Sequence, residues 1–315
     1  MGVGVIASAG RPGAGFSLEG DRRRRRRERA VRSLFLAAAC VSLVISALIV
    51  LSLFREAIAF ALAVDPGSLW SDGWFPRRGR YDIKTILVGT LLVTGIGMLV
   101  AAPVGLGAAV YLSEFARPRA RRLLKPVLEV LAGIPSVVMG FFALTWISPN
   151  VVQAVSADAS LFNLAAAGIG VGILTIPLVT TIAEDAMHAV PRSLREAAYG
   201  LGSRKRTTSV RVVFPAAISG IVAALIVGIS RAVGETMVVA IAAGGTGGSL
   251  FTLDVTGPGQ TMTAAMMAIA TGSDQVKGAA LTFESMYFVG ALLFLMTFSL
   301  NLVSERFVRR FRRRY

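Results

Sequence analysis

Arg231 and Glu235 interrupt an otherwise unbroken apolar run, "ALIVGISRAVGETMVVAIAA", at residues 224–243. Four residues apart on a helix, the two share one face. Arg231 lies roughly 22 Å along such a helix from Ala216 at 1.5 Å per residue, near mid-membrane. A charge there costs about 2.5–3.5 kcal/mol on insertion scales, so such residues face a bundle interior and mark a pathway. Guanidinium stays charged and offers an oxyanion a bidentate fork. The pair therefore reads as a gated anion site in which Glu235 holds Arg231 when no anion is present. The alternative is a self-neutralising structural ion pair.

The rest of the chain supplies a membrane to cross. Hydrophobic residues make up 54% of its 315 residues, charged ones only 16%, and mean hydropathy is +0.67, against about 25% charged in soluble domains. Six windows approach the ~20 apolar residues of a spanning helix: 34–54, 84–112, 126–147, 163–187, 216–243 and 284–304. The organisation expected is a disordered basic tail over 1–32, a first transmembrane helix over 33–55 and an extracytoplasmic segment over 56–83. A core of five further spans follows over 84–305, containing a cytoplasmic loop at 188–215, then a basic tail at 306–315. Trp70 and Trp74 are placed as interfacial aromatics. "GGTGGS" at 244–249 reads as a flexible outside loop, and the 33 glycines suit close helix approach in a bilayer. "AAAC" before Cys40 faintly resembles a lipoprotein cleavage site, but the apolar run continues well past it, which favours an uncleaved span.

A net charge of +15 invites a nucleic-acid reading. The basic residues, however, cluster between apolar windows without interleaved aromatics or a recognition motif. Of 33 Lys and Arg, 26 fall in alternate segments that include both termini, and 6 in the others. The positive-inside rule then puts both termini in the cytoplasm. Cys40 is the lone cysteine and His188 the lone histidine. That excludes an intrachain disulfide and multi-histidine metal sites, and no paired intramembrane carboxylates point to an enzyme.

The loop "HAVPRSLREAAYGLGSRKRTTSVRVVFPAAISG" carries a capping-box spacing from Ser193 to Glu196. Leu194, Ala197, Ala198 and Leu201 fall on one helical face, and Gly202 can take the left-handed position that ends the helix. A short amphipathic helix is expected, with an apolar face that either packs on its own bundle or docks a cytosolic partner. The stretch "EAAYGLGSRKRTTSVRVVFP" resembles the EAA loop of ABC-importer permeases: Glu196, Ala197, Ala198, Gly202, Val212 and Pro215 fit, and Phe214 stands where Leu is usual. The resemblance implies a coupling helix seated in a cleft of an ATPase subunit. This chain has no Gly-Lys-[Ser/Thr] of its own, since Ile83, Leu124, Arg204 and Val276 precede its four lysines. ATP and Mg then belong to a partner, and this chain needs no cofactor.

The string "GISRAVGETMVVAI" is similar to the fifth-span region of phosphate-import permeases of the PstC type, supported by "GLGAAVYLSEFA" and "LEVLAGIPSVVMGFFAL". The PstA type is similar around Gly-Glu-Thr and continues differently. The resemblance implies an all-α fold with six transmembrane helices, that of type I, MetI-like ABC-importer permeases, in a bacterial plasma membrane. It also implies a PstA-type second permease, an ATPase dimer and an extracytoplasmic phosphate-binding protein. It puts Arg231, Gly234, Glu235 and Thr236 on the substrate path, and Glu196, Ala197, Ala198, Gly202 and Pro215 in ATPase coupling. The residues alone leave sulfate or molybdate, or a passive anion channel, open. Pro135 is expected to break or kink span three, whether for packing or to line a pore. Glu184 and Asp185 read as interfacial acids without a role.

Overall fold

The computed structural model describes residues 22–244, 248–272 and 281–312, and they are mostly helical. The chain divides into two compact units between Ser52 and Leu53. Helix α1 runs Arg22–Ala63, beyond the expected span at both ends. Neither Pro nor Gly interrupts it, and arginine is a good helix former, so the basic residues extend the helix rather than stay disordered. The first 21 residues of the expected tail lie outside the described residues.

In the second unit, α2 (Ile83–Val110) continues through a π-helical turn to Phe115. It packs along α5 (Leu164–His188). Glycine permits this contact: a Cβ on Gly172 of α5 would lie 2.7 Å from the Gly97 carbonyl oxygen and 2.9 Å from Val100 Cβ of α2. Gly172→Ala is expected to destabilise the solubilised protein by about 1–3 kcal/mol, the cost of an overpacked contact. Gly95→Ala, where a Cβ meets open space, should cost nothing; equal thermal-unfolding midpoints for the two variants would refute close α2–α5 packing.

Between these helices the chain departs from the expected third span. Residues 126–132 belong to α3 (Pro118–Ala132), an amphipathic helix that no residue of which is buried. Gly133 ends it, and Pro135 is the N-cap of the next helix, α4 (Ser136–Val155), as its missing N–H and fixed φ favour. The membrane-length segment is Ser136–Val155, π-helical over Ala143–Val152.

After α5 comes α6 (Arg192–Gly200), then α7 (Lys205–Ala216), which is bent by 70° from α8 (Ile218–Val233). The fifth span is thus not one helix over 216–243. It stops at Val233 and resumes as α9 (Met237–Ala242). Helices α10 (Met262–Ala270) and α11 (Thr282–Arg312) complete the unit, the latter reaching into the expected carboxy-terminal tail. Among the described residues, five helices are long and apolar enough to span a membrane, or up to six when the bent pair counts as one span.

The core joins α4, α5 and α9 through Met139, Ala143, Ile147, Val171, Leu174, Val238 and Val239. At the end opposite α6, strands β1 (Trp74–Phe75) and β2 (Arg80–Tyr81) pair antiparallel. Trp74 is 1% exposed and its backbone is bonded to Ser249 at 2.8 and 3.1 Å, so only Trp70, 71% exposed, stands as an interfacial aromatic would. Ser249 ends "GGTGGS", whose residues 245–247 lie outside the described residues.

Candidate functional site

Arg231 sits in the last turn of α8, and Gly234 caps that helix: its N–H bonds the Ser230 and Arg231 carbonyls at 3.3 and 3.1 Å. Glu235 and Thr236 form the break before α9. The same-face, four-residue relation expected of a continuous helix is therefore lost. Among the described residues no ion pair joins Arg231 to Glu235. The Glu235 carbonyl, freed from helical bonding, accepts from Thr263 Oγ1 at 2.8 Å. The break is satisfied by protein, as non-helical backbone at membrane depth requires. Arg231 is exposed and Glu235 half-buried.

The Arg231 side chain lines a cavity of about 350 Å³ with Leu174, Pro177, Thr181 and Glu184 of α5 and Lys125 and Glu129 of α3. Leu174 to Glu184 spans ten residues, roughly 15 Å along a helix, so the cavity follows α5 from mid-helix toward its basic end. Glu184, read from the sequence as a bystander, is 1% exposed and the focus of that end. Its Oε1 accepts from Arg121 Nη2 and lies 3.4 Å from Lys125 Nζ. Arg121 also lies 3.3 Å from His188 Nε2. Arg121 and Lys125 are four apart on α3 and therefore share a face. That spacing was visible in the sequence; the carboxylate 63 residues away was not.

The basic end also carries α6. Its N-cap is Pro191, without a side-chain cap bond, so the helix starts one residue before Ser193 and the expected capping box does not form. Its C-terminus is as expected: Gly202 has φ +77°, its N–H bonds the Tyr199 carbonyl at 2.9 Å, and Ser203 N–H bonds the Ala198 carbonyl at 3.0 Å. The face turned to the bundle is polar. Arg195 donates to the carbonyls of Val190 at 2.6 Å and Met187 at 2.8 Å, and to Glu114 Oε1 at 3.0 Å. Sequence reasoning missed both Arg195 and Glu114. Leu194, Ala197 and Leu201, by contrast, are exposed, Leu201 at 90%. Ala198, on the same stripe, is half-buried, so its own bundle covers the stripe only in part and leaves the other three side chains open. Glu196 is exposed beside it, and Pro215 lies in the last turn of α7.

This arrangement has known counterparts. Among curated relatives, a probable ABC transporter permease protein of Bacillus subtilis, YqgH, is 34% identical over 69% of this chain and 72% of its own length. The phosphate transport system permease protein PstC of Mesorhizobium japonicum is 28% identical over 87% of this chain and 88% of its own. Among solved structures, the MetNI methionine ABC transporter in an inward-facing conformation superposes with a TM-score of 0.52 at 18% identity, covering 72% of this chain and 93% of that one. The expected MetI-like ABC-importer permease fold is the observed one. Residues 101–315 match the family described as binding-protein-dependent transport system inner membrane component, and the chain belongs to that family of permeases.

Proposed function

We propose that this chain is the PstC-type permease subunit of an ATP-driven phosphate importer, forming half of the translocation path in the bacterial plasma membrane. The observation that carries the reading is Arg231, an exposed guanidinium at a helix break, facing a cavity, with no carboxylate in ion-pair range among the described residues. A strongly charged group at such depth is retained where it meets a charged cargo. Curated relatives include phosphate transport permeases of both the C and A types, which favours phosphate over sulfate or molybdate.

In this reading an extracytoplasmic binding protein delivers phosphate to a cavity shared with a PstA-type permease. Arg231 receives the anion by charge-assisted hydrogen bonds. Gly234 ends α8 beside it, and the Glu235–Thr236 break gives the span a joint at which α8 and α9 can tilt separately. The basic end faces the cytoplasm, where the exposed stripe of α6 docks on an ATPase subunit that binds and hydrolyses ATP with Mg. Closing of the ATPase pair moves α6 and switches the cavity between its two openings.

The test is phosphate uptake into vesicles holding the two permeases and the ATPase dimer, with binding protein outside and ATP inside. Uptake is expected only with ATP and against a gradient. Uptake down a gradient by this chain alone would instead make it a passive channel.

A further inference from the structure

The charges at the basic end of the Arg231 cavity are unequal. Glu184 Oε1 takes its closer contact from Arg121, and Lys125 Nζ lies at 3.4 Å from that same oxygen. One guanidinium neutralises one carboxylate, so Lys125 is a surplus cation, loosely tethered. Its side chain is 41% exposed, against 29% for Arg121 and 2% for Glu184. It lines the same cavity as Arg231, which reaches Lys125 after roughly 15 Å of α5. Glu129 lies on that wall as well. Against the two carboxylates stand Arg121, Lys125 and Arg231, so the cavity and its clamp carry a net positive charge that suits an anion. The carboxylates keep it from being held too tightly to leave, the condition for passage between sites.

We propose that Lys125 is a second anion-binding residue on the path. It receives phosphate from Arg231 and returns to Glu184 once the anion has left. A dianion outcompetes a carboxylate whose charge Arg121 already neutralises, so Lys125 can transfer while Arg121 keeps α3 fixed to α5. The proposal rests on the Arg231 path.

In the reconstituted importer, Lys125→Gln is expected to lower maximal phosphate uptake roughly tenfold, the share of one hydrogen bond to a charged group, and Lys125→Arg to restore most of it. In a Cys40→Ser background, Lys125→Cys treated with an aminoethyl thiosulfonate, which restores the positive charge, should regain uptake. A neutral methyl thiosulfonate should not. Wild-type uptake by Lys125→Gln, equal rescue by both reagents, or loss of the assembled complex in Lys125→Gln would overturn the proposal. Arg231→Gln in the same assay separates the two readings. If that variant is inactive and Lys125→Gln is normal, only the second station fails; if it transports normally, the path itself fails.

Discussion

Arg231→Gln is expected to abolish ATP-dependent phosphate uptake while the importer still assembles. The separation of the two effects follows from the side chain's surroundings. Arg231 is exposed, and among the described residues it holds no ion pair, so its loss strands no charge partner between α5 and α8. Glutamine keeps the polarity and most of the reach but cannot supply the charge or the fork. Losing a charge partner of a desolvated anion costs about 2–5 kcal/mol, and at tenfold per 1.4 kcal/mol that is a fall of roughly 30-fold or more. Arg231→Lys should recover part of the rate, because a point charge remains without bidentate geometry. Glu235→Gln should do less harm than Arg231→Gln, since the carboxylate does not clamp the guanidinium in this structure. Uptake at the normal rate by Arg231→Gln, with the subunits co-purifying, would remove Arg231 from the path.

The sequence alone suggested that Glu235 holds Arg231 when no anion is present; the structure separates the two, and the cause is local. The spacing of four is informative only on a continuous helix, and "SRAVGETM" contains one glycine and no proline, so nothing in the apolar pattern announced that α8 would end at Val233. The break depends on Thr263, 28 residues on, which bonds the Glu235 carbonyl. The start of the third span failed differently. "PVLEVLA" is apolar enough to begin a span, yet Lys125 and Glu129 give it one charged face, and Gly133 with Pro135 sets the true boundary at Ser136. Where the signal was local it held: the glycine-ended helix at 192–200 and the apolar windows of α2, α5 and α11 were legible. The clamps of Glu184 with Arg121 and of Arg195 with Glu114 close between groups 63 and 81 residues apart, and only folding brings them together.

The second clamp carries the other large expected effect. Arg195→Ala should uncouple the importer, so that ATP is hydrolysed with little phosphate moved. The helix α6 itself does not depend on Arg195: its C-terminal cap is made by backbone at Gly202 and Ser203, and its exposed Leu194, Ala197 and Leu201 are untouched, so docking to an ATPase survives. What is lost is the attachment of α6 to the carbonyls of Met187 in the last turn of α5 and of Val190 just beyond it, and to Glu114 in the π-helical turn after α2. The side chains of Arg195 and Glu114 are 17% and 5% exposed. Breaking such a pair leaves a carboxylate nearly without a counterion and costs about 3–5 kcal/mol where burial is complete, less here because water still reaches the arginine. Some lowering of the unfolding midpoint is therefore expected in Arg195→Ala, and Arg195→Ala with Glu114→Gln should return most of it by removing the stranded charge. The coupling defect should persist in that double variant, because neither replacement ties α6 to the bundle. The measurement is phosphate moved per ATP hydrolysed, and a fall of at least about tenfold is expected if one strong charge-assisted contact transmits the stroke. A ratio that recovers together with stability in the double variant would show that Arg195 only holds the fold, whereas a ratio that stays low in a stable protein makes it the link between α6 and the spans.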